Sequence, residues 1–314
     1  MNNKIARFAL TLACIFLLIA IGFVIGINVK VRDKNKPKMP EQTVKTWELL
    51  TDDLAVAIDN NFWQFARASY ILIGTPPDCQ FYKIVDEVPR HHYDVEQFFA
   101  EDNGLYYYHT ADGGKKSKVA IDVSAYQPSI DWERVRAAGV DVAMIRVGYR
   151  GYGSGKMVED DTFQSHINGA LAAGLQVGVY FYSQAINYEE GVEEARFVLG
   201  AIRDFNITCP VAIDTEFLDV EDARTYNLDT DARTDAVVGF CETIRAAGYE
   251  PMIYSNRNWY AQNLDMTRLG DYSLWVAHYS NQPDFPYQFI GWQYTGDGSL
   301  YGVDGPVDLN VWLQ

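Results

Sequence analysis

Residues 118–149 read KVAIDVSAYQPSIDWERVRAAGVDVAMIRVGY and place an amphipathic segment between two apolar runs. The runs Val119–Val123 and Val142–Tyr149 predict buried strands, because strands covered on both faces are almost continuously apolar. Ile130–Ala138 predicts a helix, and Gly139 suits the left-handed position that ends one. The stretch therefore predicts a β-α-β unit.

The same alternation continues toward the C-terminus. Three helices are predicted, at Phe163–Ala173, Glu189–Asp204 and Thr234–Ala247. They alternate with three strands, at Val177–Gln184, Val211–Phe217 and Met252–Asn256. The helices then fade, and three further strands are predicted at Leu274–Tyr279, Phe289–Thr295 and Val307–Leu313. Eight strands within residues 118–314 predict an α/β fold, a TIM-like barrel with its later helices eroded. An open doubly wound sheet is the alternative, but no G-x-G-x-x-G follows the first strand.

Three segments precede this domain. Residues 8–29 carry no charge and are long enough to cross a bilayer, so residues 1–29 are predicted to form a transmembrane anchor. A cleaved signal peptide is the lesser alternative, since no A-x-A pattern follows. Residues 30–45 are charged and predict a linker. Residues 46–117 predict a small α+β lead-in module, helical over 46–73 and with strand-like runs at 80–85 and 105–108.

Composition excludes several classes of protein. The formal net charge is −16, and a surface this acidic argues against a nucleic-acid partner. Outside the predicted span there are three cysteines, in no C-x-x-C spacing, which favours buried free thiols over a Cys209–Cys241 bridge. The five histidines form no H-x-x-x-H or H-E-x-x-H pattern, so we expect neither a catalytic metal nor a cofactor.

Four acids lie near predicted strand ends. Asp122, Asp214 and Glu216 are near the carboxyl ends, where the active sites of such barrels are built, and Asp308 is at the start of the last strand. Asp214 and Glu216, at i and i+2, are predicted to share one strand face, with Cα atoms roughly 6.6 Å apart. Two carboxylates this close cannot both ionise freely, so at least one pKa should rise, as a general acid requires. Solvated acids on an edge strand are the alternative, which the apolar run 211–213 disfavours.

The chain resembles glycoside hydrolase family 25, the Chalaropsis-type muramidases. The resemblance is carried, in the family's order, by residues 121–124, Gln127, 130–132, 145–151, 178–185, 214–216, 292–294 and 307–310. It implies a (β/α)5β3 barrel that hydrolyses the β-1,4 bond between N-acetylmuramic acid and N-acetylglucosamine. By the same resemblance Glu216 is the acid and Asp214 orients the substrate's 2-acetamido group, while Asp122 and Asp308 support the cleft. Attack by that acetamido group on the anomeric carbon is our mechanistic hypothesis, because two carboxylates on one strand approach the sugar from one side.

A second set of residues is predicted to bind the sugar chain. Aromatic rings stack on pyranose faces while their polar atoms bond the edges. The predicted set is Tyr126, Arg146, Tyr180, Tyr182, Tyr254, Trp275, Trp292 and Gln293. Pairing with a buried acid is slightly favoured for Arg146, and barrel packing is an equal alternative for Trp275.

The predicted partners follow from these assignments. They are peptidoglycan glycan strands and, through the anchor, a membrane; a monomer is favoured. The basic residues that follow the span favour a cytoplasmic C-terminal side. Wall hydrolysis requires export, so we expect a single-pass protein whose catalytic domain is outside the cell. The alternative function is a non-catalytic cell-wall glycan-binding protein on the same fold.

Overall fold

The structure, a computed structural model, describes residues 61–62, 64–75 and 78–313. The predicted anchor, the linker and residues 46–60 lie outside these residues. Among the described helices, none is both long enough and apolar enough to span a bilayer. The chain divides into two compact units, Met1–Phe65 and Ala66–Gln314, and the second holds the barrel.

Eight strands close into a barrel. They are β5 (Ser117–Val123), β6 (Val142–Arg150), β8 (Gln176–Tyr182), β9 (Val211–Asp214), β10 (Pro251–Asn256), β11 (Ser273–Ala277), β12 (Gly291–Gly298) and β13 (Val307–Leu313). Neighbours from β5 to β12 pair in parallel. The last strand, β13, runs antiparallel between β12 and β5 and closes the ring. A short strand, β7 (Met157–Glu159), extends the end of β6 as an antiparallel hairpin. The predicted closed barrel is confirmed, and the open sheet is excluded.

Five helices follow the first five parallel barrel strands. They are α1 (Trp132–Ala137), α2 (Phe163–Ala172), α3 (Tyr188–Ile202), α4 (Thr230–Ala246) and α5 (Arg257–Asn263). Side chains of Asp131, Asn187 and Asp229 accept from backbone N–H groups in the first turns of α1, α3 and α4, which supplies partners that a helix start lacks. Gly139 follows α1 with φ +99°, the left-handed conformation expected of it. The arrangement is the (β/α)5β3 order.

Buried residues form two clusters that the strands separate. One lies between the strands and the helices. The other fills the barrel interior with Met144, Met252, Trp275, Trp312 and smaller apolar residues, and Tyr180 and Tyr254 top it. We call this interior cluster the barrel plug. Because it packs the lower barrel, the interior is open only toward the carboxyl ends of the parallel strands.

The segment before the barrel packs on the outer side of its late strands. It contains two hairpins, β1 (Tyr70–Thr75) with β2 (Asp78–Lys83), and β3 (Phe98–Ala100) with β4 (Tyr106–Tyr108). The Phe98 ring lies 5.4 Å from that of Trp292 on β12, and the Tyr106 ring lies 4.7 Å from that of Tyr294. The segment thus covers strands that no helix follows. The division of residues 46–117 from the barrel stays a prediction.

Several predicted boundaries are wrong, and two of them concern the segment before the barrel and the site. Residues 64–69 are helical, but Tyr70 begins β1 and pairs with Lys83, so the helix expected over 46–73 does not include its last four residues. The strand expected over Val211–Phe217 ends at Asp214. Among the described cysteines, Cys79, Cys209 and Cys241 are free thiols, so Cys209 and Cys241 are not bridged.

Candidate active site

A cleft of about 650 Å³ opens at the carboxyl ends of the parallel strands. The barrel plug forms its floor, and carboxylates and tyrosines line its walls. The start of β13 reaches the same face, because that strand runs antiparallel to its neighbours. All four predicted carboxylates therefore line one cleft, namely those of Asp122, Asp214, Glu216 and Asp308.

Asp214 ends the central strand β9, and Glu216 follows two residues later. The backbone is tied on both sides, because Ser183 donates to the Asp214 carbonyl and Thr215 donates to the Tyr254 carbonyl. This excludes an edge strand. Asp214 is 5% exposed, and its Oδ1 atom is buried with no hydrogen-bond partner within the described part of the chain. Glu216 is half-buried and more accessible.

Burial is the main cause of raised pKa values in this pair. It raises the pKa of the Asp214 carboxyl, and the charge of Glu216 raises it further. Burial also raises the pKa of Glu216, a hydrogen bond with Asp214 opposes this, and the charge of Asp122 adds to the rise. Since two carboxylates this close behave as one titrating unit, the pair retains a proton at a pH where exposed acids have lost theirs.

Asp122 and Asp308 are opposite each other across the β5–β13 pairing. Both Asn310 Nδ2 (2.8 Å) and Gln293 Nε2 (3.0 Å) donate to the same oxygen, Oδ2 of Asp122. Burial raises the pKa of Asp122 to about 6, although these two hydrogen bonds lower it. Burial and the charge of Asp122 raise the pKa of Asp308 to about 8. The two amides thus fix the orientation of Asp122.

Each of the two amides is itself held in place. Trp275 donates from Nε1 to Asn310 Oδ1 at 2.7 Å, so its indole links the barrel plug to Asp122. The hydroxyls of Tyr254 and Tyr279 each donate to Gln293 Oε1 at 2.9 Å. An amide whose oxygen accepts these bonds must present its NH2 group to Asp122. The network therefore orients the carboxylate from below and from the side.

Arg146 lies at the opposite wall and pairs with a buried acid, as favoured. Its Nε and Nη2 atoms both lie 2.7 Å from Asp160 Oδ2. Although burial opposes ionisation, hydrogen bonds from Thr162 and Ala125 and the charge of Arg146 keep the pKa of Asp160 low. The guanidinium also lies 5.3 Å from the centre of the Tyr126 ring, which is 82% exposed. The ion pair holds a cation under an exposed aromatic face.

Comparison with known proteins agrees with this geometry. The model of glycosyl hydrolases family 25 matches residues 121–303. The chain belongs to glycosyl hydrolase family 25. The match includes Asp122, Asp214 and Glu216, whereas Asp308 and the segment before the barrel lie outside it.

Two curated relatives of this family 25 chain are lysozymes. An autolytic lysozyme from Clostridium acetobutylicum is 29% identical over 195 residues, which cover 62% of this chain and 55% of the relative. Lysozyme M1 from Streptomyces globisporus is 30% identical over 206 residues, covering 60% of this chain and 66% of the relative. This chain thus spans between about half and two thirds of the length of these relatives.

Solved structures share the fold. The modular autolysin LytC from Streptococcus pneumoniae, in complex with a synthetic peptidoglycan ligand, has a TM-score of 0.56 and 26% identity, covering 74% of this chain and 54% of that one. A bacterial lysozyme from Streptomyces coelicolor has a TM-score of 0.50 and 25% identity, covering 62% and 91%.

Most residues predicted to bind sugar line the family 25 cleft, and one does not. The cleft includes Tyr126, Arg146, Tyr180, Tyr182, Tyr254, Trp275 and Gln293. The prediction for Trp292 is wrong: its side chain is fully buried under Phe98 and Tyr106, and its Nε1 donates to the His278 carbonyl. Side chains alternate along a strand, so Gln293 faces the barrel interior and Trp292 faces outward.

Several residues that line the cleft or orient its carboxylates were not predicted. Asn310 follows Asp308 by two residues on β13, so strand alternation could have placed it inside. Asp160 lies in a loop, where sequence periodicity carries no information on direction. Tyr279 also lies in a loop, but it ended the predicted strand Leu274–Tyr279, four residues after Trp275, so strand alternation could have placed it on the same face. Within the described residues, no group of three or more His, Cys, Asp and Glu side chains is placed to hold a metal ion.

Proposed function

We propose that this chain is a peptidoglycan muramidase that hydrolyses the β-1,4 bond between N-acetylmuramic acid and N-acetylglucosamine. The observation that carries the proposal is that Asp214 and Glu216 lie together in an open cleft with Asp122 and Asp308, and that burial raises the pKa of both. Family membership and the lysozyme relatives support the same reaction. The cleft suits a polymer, since it is open to solvent and rimmed by exposed tyrosine.

Glu216 is the general acid in this proposal. It is the more accessible carboxyl of the pair, so the proton that the pair retains at a pH where exposed acids are ionised reaches the substrate through it. Its proton passes to the glycosidic oxygen as the bond from that oxygen to the anomeric carbon breaks. Asp122 assists, because its negative charge raises the pKa of Glu216.

Asp214 positions an internal nucleophile. Its carboxylate accepts a hydrogen bond from the N–H of the 2-acetamido group, whose carbonyl oxygen attacks the anomeric carbon and forms a cyclic oxazolinium. Water then adds to that carbon and gives a proton to Glu216, which restores the acid. A second carboxylate on the opposite sugar face is not needed, in agreement with the position of both acids at the end of one strand.

Replacing the acid by its amide tests the assignment. We expect Glu216→Gln to lose about 10²–10⁴-fold in the rate at which purified cell walls are solubilised. Glu221→Gln, a change at an exposed glutamate five residues later, is the matched control and should retain the rate. Equal solubilisation by wild type and Glu216→Gln would refute the acid assignment. A folded wild type that binds walls without cleaving them would favour the non-catalytic alternative.

Stereochemistry tests the internal nucleophile. Two displacements at one carbon retain the anomeric configuration, so the first product of a defined glycan should be the β-anomer by NMR. An α-anomer as the first product would refute acetamido participation. A second prediction is that the wild-type enzyme does not cleave a glycan whose 2-acetamido groups have been removed, because the carbonyl oxygen that attacks the anomeric carbon is then missing.

We further propose that residues 1–29 anchor the protein in the cell membrane, with the barrel outside the cell and residues 30–45 as the linker. The support is the uncharged run 8–29 and a polymeric substrate that lies outside the cytoplasm. Signal cleavage and secretion remain the alternative. Fractionation tests the anchor, and we expect the full-length protein in the membrane fraction. Protease added to spheroplasts, whose cytoplasmic membrane is intact, should degrade the barrel. Protease resistance until lysis would refute the orientation.

A further inference from the structure

A second pocket of about 640 Å³ lies beside the late barrel strands. One wall comes from β1 and from residues just after β2, which precede the part matched by the family model. The other wall comes from the loop between β11 and β12, with Arg257 from the start of α5. We call it the arginine pocket. It is as large as the cleft, and the proposed reaction does not use it.

The arginine pocket and the cleft have opposite charge. Three arginines and one acid line the pocket: Arg67, Arg90, Arg257 and Asp284. Asp284 pairs with Arg257 at 2.9 Å, whereas within the described residues neither Arg67 nor Arg90 has a carboxylate partner. By contrast, a single arginine and seven acids line the cleft. Two guanidiniums in one pocket without a carboxylate partner among the described residues are conspicuous on a chain with a net charge of −16.

Arg257 builds the pocket, and the other two arginines are available to a ligand. Arg257 donates to the carbonyls of Leu72 and Asp284, so it joins β1 to the β11–β12 loop. Arg67 and Arg90 are exposed, and within the described part of the chain the Arg90 guanidinium donates one hydrogen bond, to the Ala68 carbonyl. Their remaining N–H groups can form the paired bonds that guanidinium makes with a carboxylate.

The remaining lining favours a short peptide over a phosphate group. Ile71, Ile84 and Phe285 give the pocket an apolar floor beneath the charged rim. Burial lowers the pKa of both His91 and His278, so these side chains are neutral near pH 7 and the positive charge comes from the arginines. Apolar walls bind alkyl side chains, whereas a hydrated phosphate gains nothing from them.

The two pockets share one wall. Tyr279 lines the cleft, and its hydroxyl bonds Gln293, while its neighbours His278 and Ser280 line the arginine pocket. Consecutive Cα atoms are about 3.8 Å apart, so the linings of the two pockets meet at Tyr279, and a polymer that extends over Tyr279 reaches both. Carboxylates attached to that polymer are repelled by the acidic cleft and attracted by the arginines.

We infer that the arginine pocket binds a free carboxylate of the short peptides carried by the same glycan strand whose sugars occupy the cleft. The inference rests on the proposed function for the identity of that strand. Sugar and peptide would then be recognised by pockets of opposite charge on either side of Tyr279. Arg67 and Arg90 are the specificity-determining residues, and they act on binding and not on the chemical step.

Direct binding tests this without any hydrolysis. In the Glu216→Gln background, calorimetry measures binding of the wall tetrapeptide released by an amidase, and of the same peptide with its carboxylates amidated. We expect the free-acid peptide to bind. Amidating the peptide, or introducing the double substitution Arg67→Gln/Arg90→Gln, should weaken binding by roughly three- to tenfold, which is the effect expected from losing two partly exposed ion pairs. Arg203→Gln, at an exposed arginine on the C-terminal end of α3, is the matched control. Arg67→Gln alone keeps the Arg90–Ala68 bond and is the second variant should the double variant unfold.

Kinetics provides an independent readout in the active enzyme. The double variant should raise KM for peptide-bearing glycan and leave KM for peptide-free glycan and both kcat values unchanged. Absence of peptide binding, equal binding of free-acid and amidated peptide, or binding of a glycerol-phosphate wall polymer in its place would overturn the inference. If neither glycan is cleaved but the peptide binds through Arg67 and Arg90, the proposed function fails and the pocket assignment stands.

Discussion

The two ends of the barrel interior differ in chemistry although they are built from the same strands. At the lower end, Met144, Met252 and Trp312 pack into a dry plug. At the upper end, Asp122, Asp308 and the Asp214–Glu216 pair line an open cleft. Met144 and Met252 are completely buried, whereas the cleft brings together like charges at the solvent-exposed end of the same strands.

The difference indicates that the plug is part of the electrostatics of the site. An apolar floor removes water from one side of each carboxylate, and burial is the leading cause of every raised pKa among the four acids. Raised pKa values in turn supply a protonated acid near neutral pH. Substitutions at the two ends should therefore separate activity from stability.

The largest expected effect is at the charged end. Glu216→Gln should lower the rate of wall cleavage by about 10²–10⁴-fold. It should not lower the free energy of unfolding, because the amide is neutral, like the protonated carboxyl that burial favours. Paired measurements of wall clearance and urea unfolding check this. A variant that loses activity only in proportion to lost stability would break the comparison.

The next effect is at the apolar end. Met252 is fully buried in the plug, and Met252→Ala should lower the free energy of unfolding by about 2–5 kcal/mol through the cavity it leaves. Far below its melting temperature the variant should keep most of its kcat. Val158→Ala, at a residue on β7 that is 40% exposed, is the control and should lower the free energy of unfolding much less. Loss of kcat without loss of stability at Met252 would contradict the division of roles.

Trp275 joins the two ends and should show an intermediate effect. Trp275→Phe keeps an aromatic ring in the plug but removes the donor to Asn310 Oδ1. The loss of one buried hydrogen bond, about 0.5–1.5 kcal/mol, should lower kcat by up to roughly tenfold by loosening Asp122. A second variant in the same network, Asn310→Asp, replaces the amide that donates to Asp122 by a carboxyl and should lower kcat further. Unchanged kcat in both variants would mean that Asp122 needs no orientation from the plug.

The smallest effect concerns the pH dependence of stability. The pKa of Asp308 is raised from 3.8 to about 8, so the folded chain holds a proton that the unfolded chain releases. Its contribution to the free energy of unfolding is therefore greatest below pH 4 and is lost as pH rises toward 8. Asp308→Asn should flatten this decline, with a gain on the order of 1 kcal/mol near pH 8 and none near pH 4. Urea unfolding at both pH values, with the exposed Asp304→Asn as control, checks the slope; parallel curves for wild type and Asp308→Asn would contradict it.

The barrel strands and the four acids were predictable from sequence, because apolar runs and strand-end carboxylates are local signals. Which face of a strand a given side chain occupies is not encoded by a local signal. Trp292 and Gln293 are neighbours on β12, and what places Gln293 inside is the cover that Phe98 and Tyr106 give to Trp292 from nearly 200 residues earlier. The strand β1 was hidden for the same reason, because its partner β2 decides its conformation.

The most direct test of the central claim is the identity of the reducing ends that the full chain creates. Purified peptidoglycan is digested, the products are reduced with borohydride, and the fragments are analysed by mass spectrometry beside a Glu216→Gln control. The account predicts new ends at reduced N-acetylmuramic acid, absent from the control. New ends at reduced N-acetylglucosamine, or identical digests from both proteins, would contradict it.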